Sequence, residues 1–520
     1  VLSDLQELLI MLSVVNTMVL TGIEAKPVQV EVDIQNGLPA FEIVGLASAA
    51  IKEARERTRS AIKNSGFDFP NRKIIVNLAP ADFKKEGSHF DLSMAVGILI
   101  ATGQLRCQLP DTFFLAGELS LNGAVKAVPG ILPMALELQA SCPQACLVVP
   151  AGNSLEAAMV SEVASYRVSH LQDLCAFINE QQPLTPVTMN DYDRHIDLAD
   201  QPDFNEVKGQ ENAKRALQIA AAGLHNVLLI GPPGGGKTML ARRMPGIMPA
   251  MTRQEILETT RIYSVANLLD SSEPLISTRP FRTPHKNASA ASVIGGGRIP
   301  RPGEISLAQN GVLFLDEMPE FSRDLLESLR QPLEDKVVTI ARAQSTVTYP
   351  ADFALIASMN PCPCGNYGSD LECRCTPLQI HKYLNRISGP LLDRMDLHVE
   401  VPRIKYEDLT GNRGSDSSGS MRNGVGRARE LQERRFSGYP FSFNSRMDPR
   451  AVETFCQLDR NSQQILKQAF DKFGMSARSY DRVVKVARTI ADLEESEKIR
   501  VEHVAEAIQY RSLDRKYWRP

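Results

Sequence analysis

Few segments limit the fold of this chain as strongly as the glycine-rich run Gly231-Pro-Pro-Gly-Gly-Gly-Lys237-Thr238. It follows an apolar, strand-like run at residues 226–230 and precedes a helical pattern, which indicates a strand–loop–helix unit of a parallel α/β sheet. The glycines allow backbone N–H groups to surround phosphate oxygens, while Lys237 supplies a positive charge and Thr238 a hydroxyl for Mg²⁺. The sequence therefore predicts a nucleotide site in this segment.

A second apolar run, residues 311–315, ends in two acids, Asp316 and Glu317. Acids at the carboxyl end of a strand lie at the edge where α/β sheets bind ligands. We expect Asp316 to hold Mg²⁺ through water and Glu317 to polarise the attacking water, which favours hydrolysis over a purely regulatory site. A third run, residues 353–358, leads to Asn360, which either orients that water or turns the chain before a proline.

Composition excludes several classes of protein. The 520 residues are 43% hydrophobic with a net charge of −3, which excludes a disordered chain and a surface that is basic throughout. The length predicts about two to four domains. The longest uncharged stretch, residues 8–23, contains polar residues and is too short to span a bilayer, and it lacks the basic flank of a signal peptide. The nine cysteines, without an export signal, indicate reduced thiols and a cytoplasmic location.

Further segments give the chain a resemblance to a known family. They are residues 281–285, 295–297, 301–306, 361–365 and 388–394. With them the chain resembles an AAA+ ATPase of the magnesium-chelatase-like clade, and more narrowly the bacterial competence protein ComM (YifB) family, from about residue 20 to residue 510. The resemblance implies a homohexameric ring that hydrolyses ATP with Mg²⁺ and promotes DNA branch migration during recombination in natural transformation.

The same resemblance assigns roles to residues that the motifs alone leave open. Asn360 matches sensor 1, Arg394 the arginine finger that reaches a neighbouring subunit, and Arg478 sensor 2 of the helical lid. From the sequence alone, Arg394 could equally form a salt bridge with Asp393 or Asp396, and Arg478 could lie on a solvated helix face. Residues 204–210 resemble the segment that borders the adenine. The residues expected to bind the nucleotide are Gly231, Pro232, Pro233, Gly234, Gly235, Gly236, Lys237, Thr238, Met239, Val207 and Gly209.

The patterns along the chain predict its division into regions. Residues 1–10 look like extra sequence before a start near Met11, since relatives of this type open shortly before the first strand. Residues 11–180 alternate strands with helices, 181–202 form a linker, 203–410 form the ATPase core with a cysteine-rich insert at 361–376, 411–427 form a flexible loop and 428–520 a helical lid. In the first region we expect strands at 28–34, 74–78, 113–115 and 147–150 and helices at 49–65 and 91–103.

The N-terminal region resembles the Lon-protease-like domain of this family, which has a ribosomal S5 domain 2-like fold. Lon proteases use a Ser–Lys dyad. Ser93 lies in roughly the right region, but no lysine occupies residues 128–134, so we expect the fold without peptidase activity.

Four of the nine cysteines form two close pairs, Cys362 with Cys364 and Cys373 with Cys375. Two such pairs can supply four thiolates to a tetrahedral zinc ion, although the spacing departs from the common C-x2-C. We expect a structural zinc site. The alternatives are a disulfide pair, a redox switch or four cysteines without a shared role.

Two basic elements are candidates for DNA contacts. Residues 279–306 carry five Lys and Arg side chains against Glu304 alone, and residues 337–348 resemble the hairpin that precedes sensor 1. In a ring both would point into the pore, where basic groups suit a phosphate backbone without base readout. We expect DNA contacts from Arg298, Arg301 and Arg342. The alternative is that both are solvated loops.

These observations favour a ring-forming ATPase that moves along DNA. Two functions of other classes remain open. One is a magnesium-chelatase-like motor subunit that remodels a partner enzyme, against which the basic pore elements count. The other is an ATP-dependent protease of Lon type, which the missing lysine opposes.

Overall fold

The computed structural model describes residues 12–105, 107–188, 202–270, 275–297, 300–342, 345–368, 371–404 and 416–518. The chain divides into two compact units. The N-terminal unit comprises residues 1–195 together with 256–276, and the C-terminal unit comprises residues 196–255 together with 277–520. The predicted extra sequence at residues 1–10 lies outside the described residues.

An eight-stranded mixed sheet forms the centre of the N-terminal unit, in the order β10-β9-β8-β5-β1-β2-β4-β3. β1 and β2 pair antiparallel over ten residue pairs, whereas β1, β5, β8 and β9 run parallel to one another. The strands are β1 (Leu12–Thr21), β2 (Glu24–Gln35), β3 (Ala40–Val44), β4 (Lys73–Ala79), β5 (Phe113–Leu115), β6 (Glu118–Leu119), β7 (Val125–Lys126), β8 (Cys146–Pro150), β9 (Ala164–Val168) and β10 (Thr185–Pro186). The four strands predicted in this region are confirmed.

Helices cover this sheet, and both predicted helices are confirmed. They are α1 (Ala49–Asn64), α2 (Phe90–Ala101), α3 (Ile131–Ser141), α4 (Ser154–Ala158) and α5 (Leu171–Ile178). Every residue of α2 is buried, as its continuous apolar sequence requires. Its one acid, Asp91, is compensated by Arg57, whose Nε lies 2.7 Å from a carboxylate oxygen. Ser93 is fully buried and donates a hydrogen bond to the Leu115 carbonyl oxygen at 3.1 Å, so it serves the core of the unit.

The C-terminal unit contains a five-stranded parallel sheet in the order β12-β15-β18-β11-β19. Its central strands are buried along their whole length, which explains their uninterrupted apolar sequences. The strands of this unit are β11 (Val227–Ile230), β12 (Phe281–Arg282), β13 (Gly295–Gly296), β14 (Arg301–Pro302), β15 (Val312–Leu315), β16 (Val337–Arg342), β17 (Ser345–Pro350), β18 (Ala354–Met359) and β19 (Leu397–Glu400).

Helices flank this sheet and make up the end of the chain, as predicted. Those between the strands are α6 (Glu211–Gly223), α7 (Lys237–Arg242), α8 (Met244–Ile247), α10 (Ala290–Ile294), α11 (Glu304–Leu307), α12 (Arg323–Ser328), α13 (Arg330–Asp335), α14 (Pro377–Leu384) and α15 (Gly389–Leu392). A further helix, α9 (Arg253–Ala266), begins in this unit, but its residues from 256 onward belong to the N-terminal unit. Those after the sheet are α16 (Ser418–Arg435), α17 (Pro449–Phe455), α18 (Arg460–Phe473), α19 (Ala477–Leu493), α20 (Val501–Gln509) and α21 (Leu513–Trp518). Among the described residues, no helix has the length and apolar character needed to cross a bilayer.

The flexible loop predicted at 411–427 is wrong for its second half, because α16 begins at Ser418. The Ser417 side chain accepts a hydrogen bond from the Ser420 N–H and so caps the helix. Met421 and Val425 are buried in the core of the C-terminal unit. Packing of this face therefore outweighs the poor helix propensity of the Gly and Ser residues. Residues 411–415 lie outside the described part of the chain.

A second difference from the predicted regions concerns residues 256–276, which group with the N-terminal unit although they lie within the predicted ATPase core. Leu257 and Leu275 pack against an apolar cluster of the N-terminal unit. The Ser264 hydroxyl donates to the buried carboxylate of Glu156, and Arg261 Nε donates to the Ile23 carbonyl oxygen at 2.6 Å. These contacts join residues more than a hundred positions apart, so local sequence patterns do not reveal them.

Candidate active site

The glycine-rich loop connects β11 to α7 at the carboxyl edge of the parallel sheet. Position 231 requires a glycine because the backbone passes close to Val401. A Cβ at this position would lie 2.0 Å from the Val401 carbonyl oxygen. Gly234 and Gly236 have φ values of +78° and +88°, a region that other residues rarely adopt. The loop thus has the tight, side-chain-free backbone that a phosphate group requires.

Lys237 turns back over this loop and is 9% exposed. Its ammonium donates to the carbonyl oxygens of Gly231 and Pro232 at 2.7 and 2.9 Å, and to Asn360 Oδ1 at 3.1 Å. Burial lowers the pKa of Lys237, while the nearby carboxylates of Asp316 and Glu317 act in the opposite direction. The lysine and the predicted sensor-1 asparagine therefore lie together, although 123 positions separate them in the sequence.

The two acids after β15 lie beside Thr238. The Thr238 hydroxyl donates to Asp316 Oδ2 at 2.9 Å, and the Ser358 hydroxyl donates to the other oxygen of the same carboxylate. A hydroxyl and a carboxylate at this distance fit the oxygen ligands that Mg²⁺ takes at a phosphate site. Ser358 also accepts from the Glu317 N–H at 3.0 Å, so it fixes both acids at the sheet edge.

Sequence reasoning missed a partner of the second acid. The Lys286 ammonium lies 2.8 Å from Glu317 Oε2, with both side chains nearly half exposed. Glu317 itself has a left-handed backbone with φ +53°, which turns its side chain away from the strand direction. The group of five basic residues at 279–306 was the only feature of the sequence that pointed to a lysine near Glu317.

The segment expected to border the adenine lies against the glycine-rich loop. Gln210 Nε2 donates to the Gly235 carbonyl oxygen at 3.2 Å and to the Pro402 carbonyl oxygen at 2.7 Å. Val207 is buried, and Gly209 has a φ of +62° that turns the chain toward α6. Met239, on the first turn of α7, is 47% exposed and so is accessible to a ligand.

Arg394 lies away from this loop. The Asn226 side chain donates to the Arg394 carbonyl oxygen at 3.0 Å, and Asn226 directly precedes β11, whose other end leads into the loop. Four strand residues rise about 13 Å, which places the Arg394 backbone at the opposite edge of the sheet. The Arg394 backbone and the Lys237 loop thus lie at opposite ends of β11, and the role of Arg394 as an arginine finger stays a prediction.

The predicted arginine finger, Arg394, and the predicted sensor 2, Arg478, both contact one acid, Glu334. The Arg394 guanidinium pairs with it and also donates to the Pro390 carbonyl oxygen at 2.6 Å. Arg478 approaches the same carboxylate at 3.9 Å and is 61% exposed. The salt bridge to Asp393 or Asp396 considered from the sequence is replaced by this more distant partner, and Arg478 is not brought to the Lys237 loop.

The four clustered cysteines come together directly after Asn360. Their sulfur atoms all lie within 4.8 Å of one another, and the Sγ atoms of Cys362, Cys364 and Cys373 are 3.4 to 3.7 Å apart. Four thiolates at about 2.3 Å from a zinc ion would be about 3.8 Å apart, so the set fits that metal. A disulfide needs about 2.05 Å, and all four cysteines, Cys375 included, are free.

The two basic elements that we expected to contact DNA each contain a pair of antiparallel strands. β13 pairs with β14, and β16 pairs with β17 as the predicted hairpin. Arg301 is exposed at the start of β14. Arg342 ends β16, with its side chain outside the described atoms, and Arg298 lies outside the described residues.

Much of the positive charge at 279–306 is neutralised within the C-terminal unit. Arg279 pairs with Glu255 at 3.2 Å and is 8% exposed, while Arg282 pairs with Glu304 at 2.7 Å. Lys286 pairs with Glu317, as described above. The net charge counted from the sequence therefore overstates the charge that this segment can offer to a polyanion, and Arg301 is its main described contribution.

Comparisons with known proteins find similarity in three parts of the chain. A family model described as "Magnesium chelatase, subunit ChlI" matches residues 203–409, and two further models of that subunit match residues 30–153 and 415–511. An archaeal Lon protease from Methanothermobacter thermautotrophicus is 39% identical over 84 residues, 16% of this chain and 13% of that protein. The predicted fold class, a Lon-like region with an AAA+ core and a helical C-terminal region, is confirmed.

Two full-length relatives identify the family more closely. The uncharacterized protein YifB of Salmonella typhimurium is 44% identical over 505 residues, 97% of this chain and 98% of the relative. The competence protein ComM of Haemophilus influenzae is 43% identical over 509 residues, again 97% and 98% of the two chains. The chain belongs to the ComM/YifB family of magnesium-chelatase-like AAA+ proteins.

Proposed function

We propose that this chain is an ATP-hydrolysing ring motor that acts on DNA and drives branch migration in recombination during natural transformation. The observation that carries the proposal is the convergence at one sheet edge, where Lys237 contacts Asn360 and Thr238 contacts Asp316. The name of the Haemophilus influenzae relative, a competence protein, supports the biological process. A cytoplasmic location stays a prediction.

Each side chain at this edge has a chemical task that its position suits. Lys237 exchanges its carbonyl and amide acceptors for phosphate oxygens, and its partly desolvated ammonium interacts strongly with them. Thr238 and Asp316 hold Mg²⁺, Asn360 orients the attacking water, and Glu317 accepts a proton from it. Bound ATP would supply the phosphoanhydride bond whose γ-phosphoryl group passes to water, and bound Mg²⁺ would neutralise the charge that develops on the phosphates. Lys286 pairs with Glu317 Oε2 at this edge and so helps to position that carboxylate.

The ring in the proposal rests on Arg394 and Arg478. Both contact Glu334, and the Arg394 backbone is bound at the amino end of β11, at the far edge of the sheet from Lys237. An arginine in that position suits the γ-phosphate of a neighbouring subunit better than that of its own. We therefore assign both arginines to the neighbouring site, in a homohexamer.

DNA and zinc complete the proposal. Arg301, Arg298 and Arg342 belong to the two elements that would line the pore, and they would contact phosphates without reading bases.

The four cysteines Cys362, Cys364, Cys373 and Cys375 would hold a structural zinc ion, which their sulfur separations suit.

One other function has support. The matching family models describe a magnesium chelatase subunit, which favours a motor that remodels a partner enzyme. The paired state of Arg279, Arg282 and Lys286 also reduces the charge available for DNA. A Lon-type protease has less support, because Ser93 is buried and bonded within the core.

The decisive experiment measures the ATPase rate of the purified full chain alone and with single-stranded, duplex and four-way-junction DNA. We expect DNA to stimulate hydrolysis, Lys237→Ala to abolish nucleotide binding, and Glu317→Gln to keep binding while turnover stops. A chain that hydrolyses ATP but shows no DNA binding or stimulation at low salt would favour the chelatase-like function. A Glu317→Gln chain with full turnover would overturn the assignment of the base.

A further inference from the structure

The cysteine-rich segment begins where the nucleotide site ends. β18 leads into Asn360, whose side chain contacts Lys237, and Cys362 follows two residues later. Cys362 is fully buried, and its sulfur accepts a hydrogen bond from the Tyr367 N–H at 3.3 Å. The sensor-1 position and the first cysteine are thus fixed by the same short stretch of backbone.

The segment also packs directly on the phosphate loop. Gly365 is buried against Pro233, and a Cβ at Gly365 would lie 2.4 Å from Pro233 Cδ and 2.9 Å from Cγ. The Gly365 N–H donates to the Cys362 carbonyl oxygen at 3.0 Å, which closes a turn over Cys364. The turn that carries two of the four sulfur atoms is therefore the turn that contacts the loop.

Four free thiols within 4.8 Å of one another need a reason to stay together. Without a metal, close thiolates repel one another and neutral thiols form only weak hydrogen bonds, and little apolar burial holds the exposed Cys364 in place. Metal binding would supply the free energy that orders such a segment, because an assembled four-thiolate site rarely exists without its ion. The turn at Gly365 would then take its position from the metal.

We propose that the four-cysteine site is a metal-dependent support for the phosphate loop, so that its occupancy sets the affinity for nucleotide. The metal fixes the turn from Cys362 to Gly365, and Gly365 in turn fixes Pro233 and the loop backbone around it. The inference rests on the proposed nucleotide and zinc sites. It adds that a change at the cysteine site reaches the phosphate loop through Gly365, which is a positioning residue for that loop.

Two glycines of this segment provide a matched test. Gly365 and Gly368 have φ values of +83° and +73°, so a Cβ strains the backbone similarly at both. At Gly368 the nearest atoms to a Cβ belong to the flexible Lys516 side chain, at 3.7 Å, whereas at Gly365 they belong to Pro233. Gly365→Ala should therefore displace the phosphate loop, and Gly368→Ala should not.

The experiment measures zinc content and the Kd of a fluorescent ATP analogue on the full chain, purified under reducing conditions. We expect wild type and Gly368→Ala to carry about one zinc per chain and to bind equally. Gly365→Ala should keep its zinc and bind about tenfold more weakly, the size expected when a binding loop is displaced by a fraction of an ångström. Cys373→Ser should lose both zinc and affinity, whereas Cys107→Ser, at an exposed site outside the cluster, should lose neither.

The outcomes separate the three assumptions. Zinc-free Cys373→Ser with the wild-type Kd, or equal Kd values for the two alanine variants, would overturn the supporting role. A wild-type chain that binds nucleotide but contains no metal would overturn the metal site and the metal-dependent support, and would leave the proposed nucleotide site standing. A wild-type chain that carries zinc but binds no nucleotide would overturn the proposed function instead.

Discussion

The buried guanidinium of Arg394 pairs with the half-exposed carboxylate of Glu334, while Arg478 reaches the same carboxylate from the helical part of the C-terminal unit. The hydrogen bond from Arg394 lowers the pKa of Glu334. Arg394 is only 4% exposed, so it must leave Glu334 to contact anything outside its own chain. In this structure Arg394 is therefore paired within its own chain and is not available to a neighbouring subunit.

Mixed subunits test whether Arg394 acts on a neighbour. Arg394→Ala chains lack the finger, and Lys237→Ala chains lack nucleotide binding, so each should be nearly inactive alone. In a mixture, some interfaces combine an intact Lys237 with an intact Arg394, and we expect ATPase activity to reappear with a maximum near equal proportions. The measurement is the steady-state ATPase rate over a series of mixing ratios at constant total protein.

The control for that mixture is Lys237→Ala combined with a chain that carries both substitutions. It offers no interface with an intact pair and should stay inactive at every ratio. Activity that is absent from the first mixture as well, despite verified co-assembly, would contradict the arrangement in trans.

Arg301→Ala tests the proposed contact with DNA. Arg301 is exposed and begins β14, so its removal should leave the fold and the basal ATPase rate unchanged. We expect DNA-stimulated ATPase to fall and the salt dependence of DNA affinity, on a log–log scale, to lose roughly one unit of slope. Arg434→Ala is the matched control, because Arg434 is 77% exposed on a helix surface beside Glu430. Equal losses in the two variants would indicate a general charge effect.

The parts of this molecule that sequence reasoning recovers are those governed by local patterns. The apolar run of residues 113–115 is β5, and the glycine-rich loop follows β11 as expected, because strand alternation and glycine turns act over a few residues. The helix from Ser418 was missed because its stability comes from burial of Met421 and Val425, which composition does not show. Partners such as Glu334 for Arg394, sixty positions away, depend on how the sheet and helices pack.

A buried charge network beside Arg394 should contribute to the stability of the C-terminal unit. Asp396 is 5% exposed and pairs with Arg482 and with His225 Nδ1 at 3.2 Å, and it accepts from the Asn226 N–H at 3.1 Å. Burial alone would raise the pKa of Asp396, but Arg482 and His225 outweigh it and lower that pKa.

Asp396→Asn should therefore reduce the free energy of unfolding by about 3 kcal/mol, because it leaves the Arg482 charge without its buried partner. The single tryptophan, Trp518, reports on urea unfolding of this unit.

The pKa of Asp396 is lower in the native chain than in the unfolded chain, where it is about 4. The contribution of Asp396 to stability is therefore complete above about pH 4 and is lost as the pH falls further. The gap between wild type and Asp396→Asn should narrow in acid. Asp393→Asn, which alters a neighbouring acid that is only half-buried, should cost much less.

Stability also rises with pH through Lys336, but in a higher pH range and because burial disfavours the charged form of this lysine. Lys336 lines a cleft of about 510 Å³ with Asp352, Asp396, Arg446 and Arg482. Burial, and after it the Arg446 charge, lowers the pKa of Lys336 to about 7, while the two acids act in the opposite direction. Between that value and the unfolded value of about 10.4, the unfolded chain binds more protons than the native chain, so stability rises with pH.

We therefore expect Lys336→Met to be more stable than wild type near pH 7, and the difference in free energy of unfolding to shrink as the pH approaches 10. Lys336→Arg is the matched control, because an arginine stays charged throughout this range and should show no such rise. The measurement is urea unfolding at intervals of one pH unit, with all three chains in the same buffers. If the three chains differed by a constant amount at every pH, Lys336 would be charged in the native cleft and the lowered pKa would be wrong.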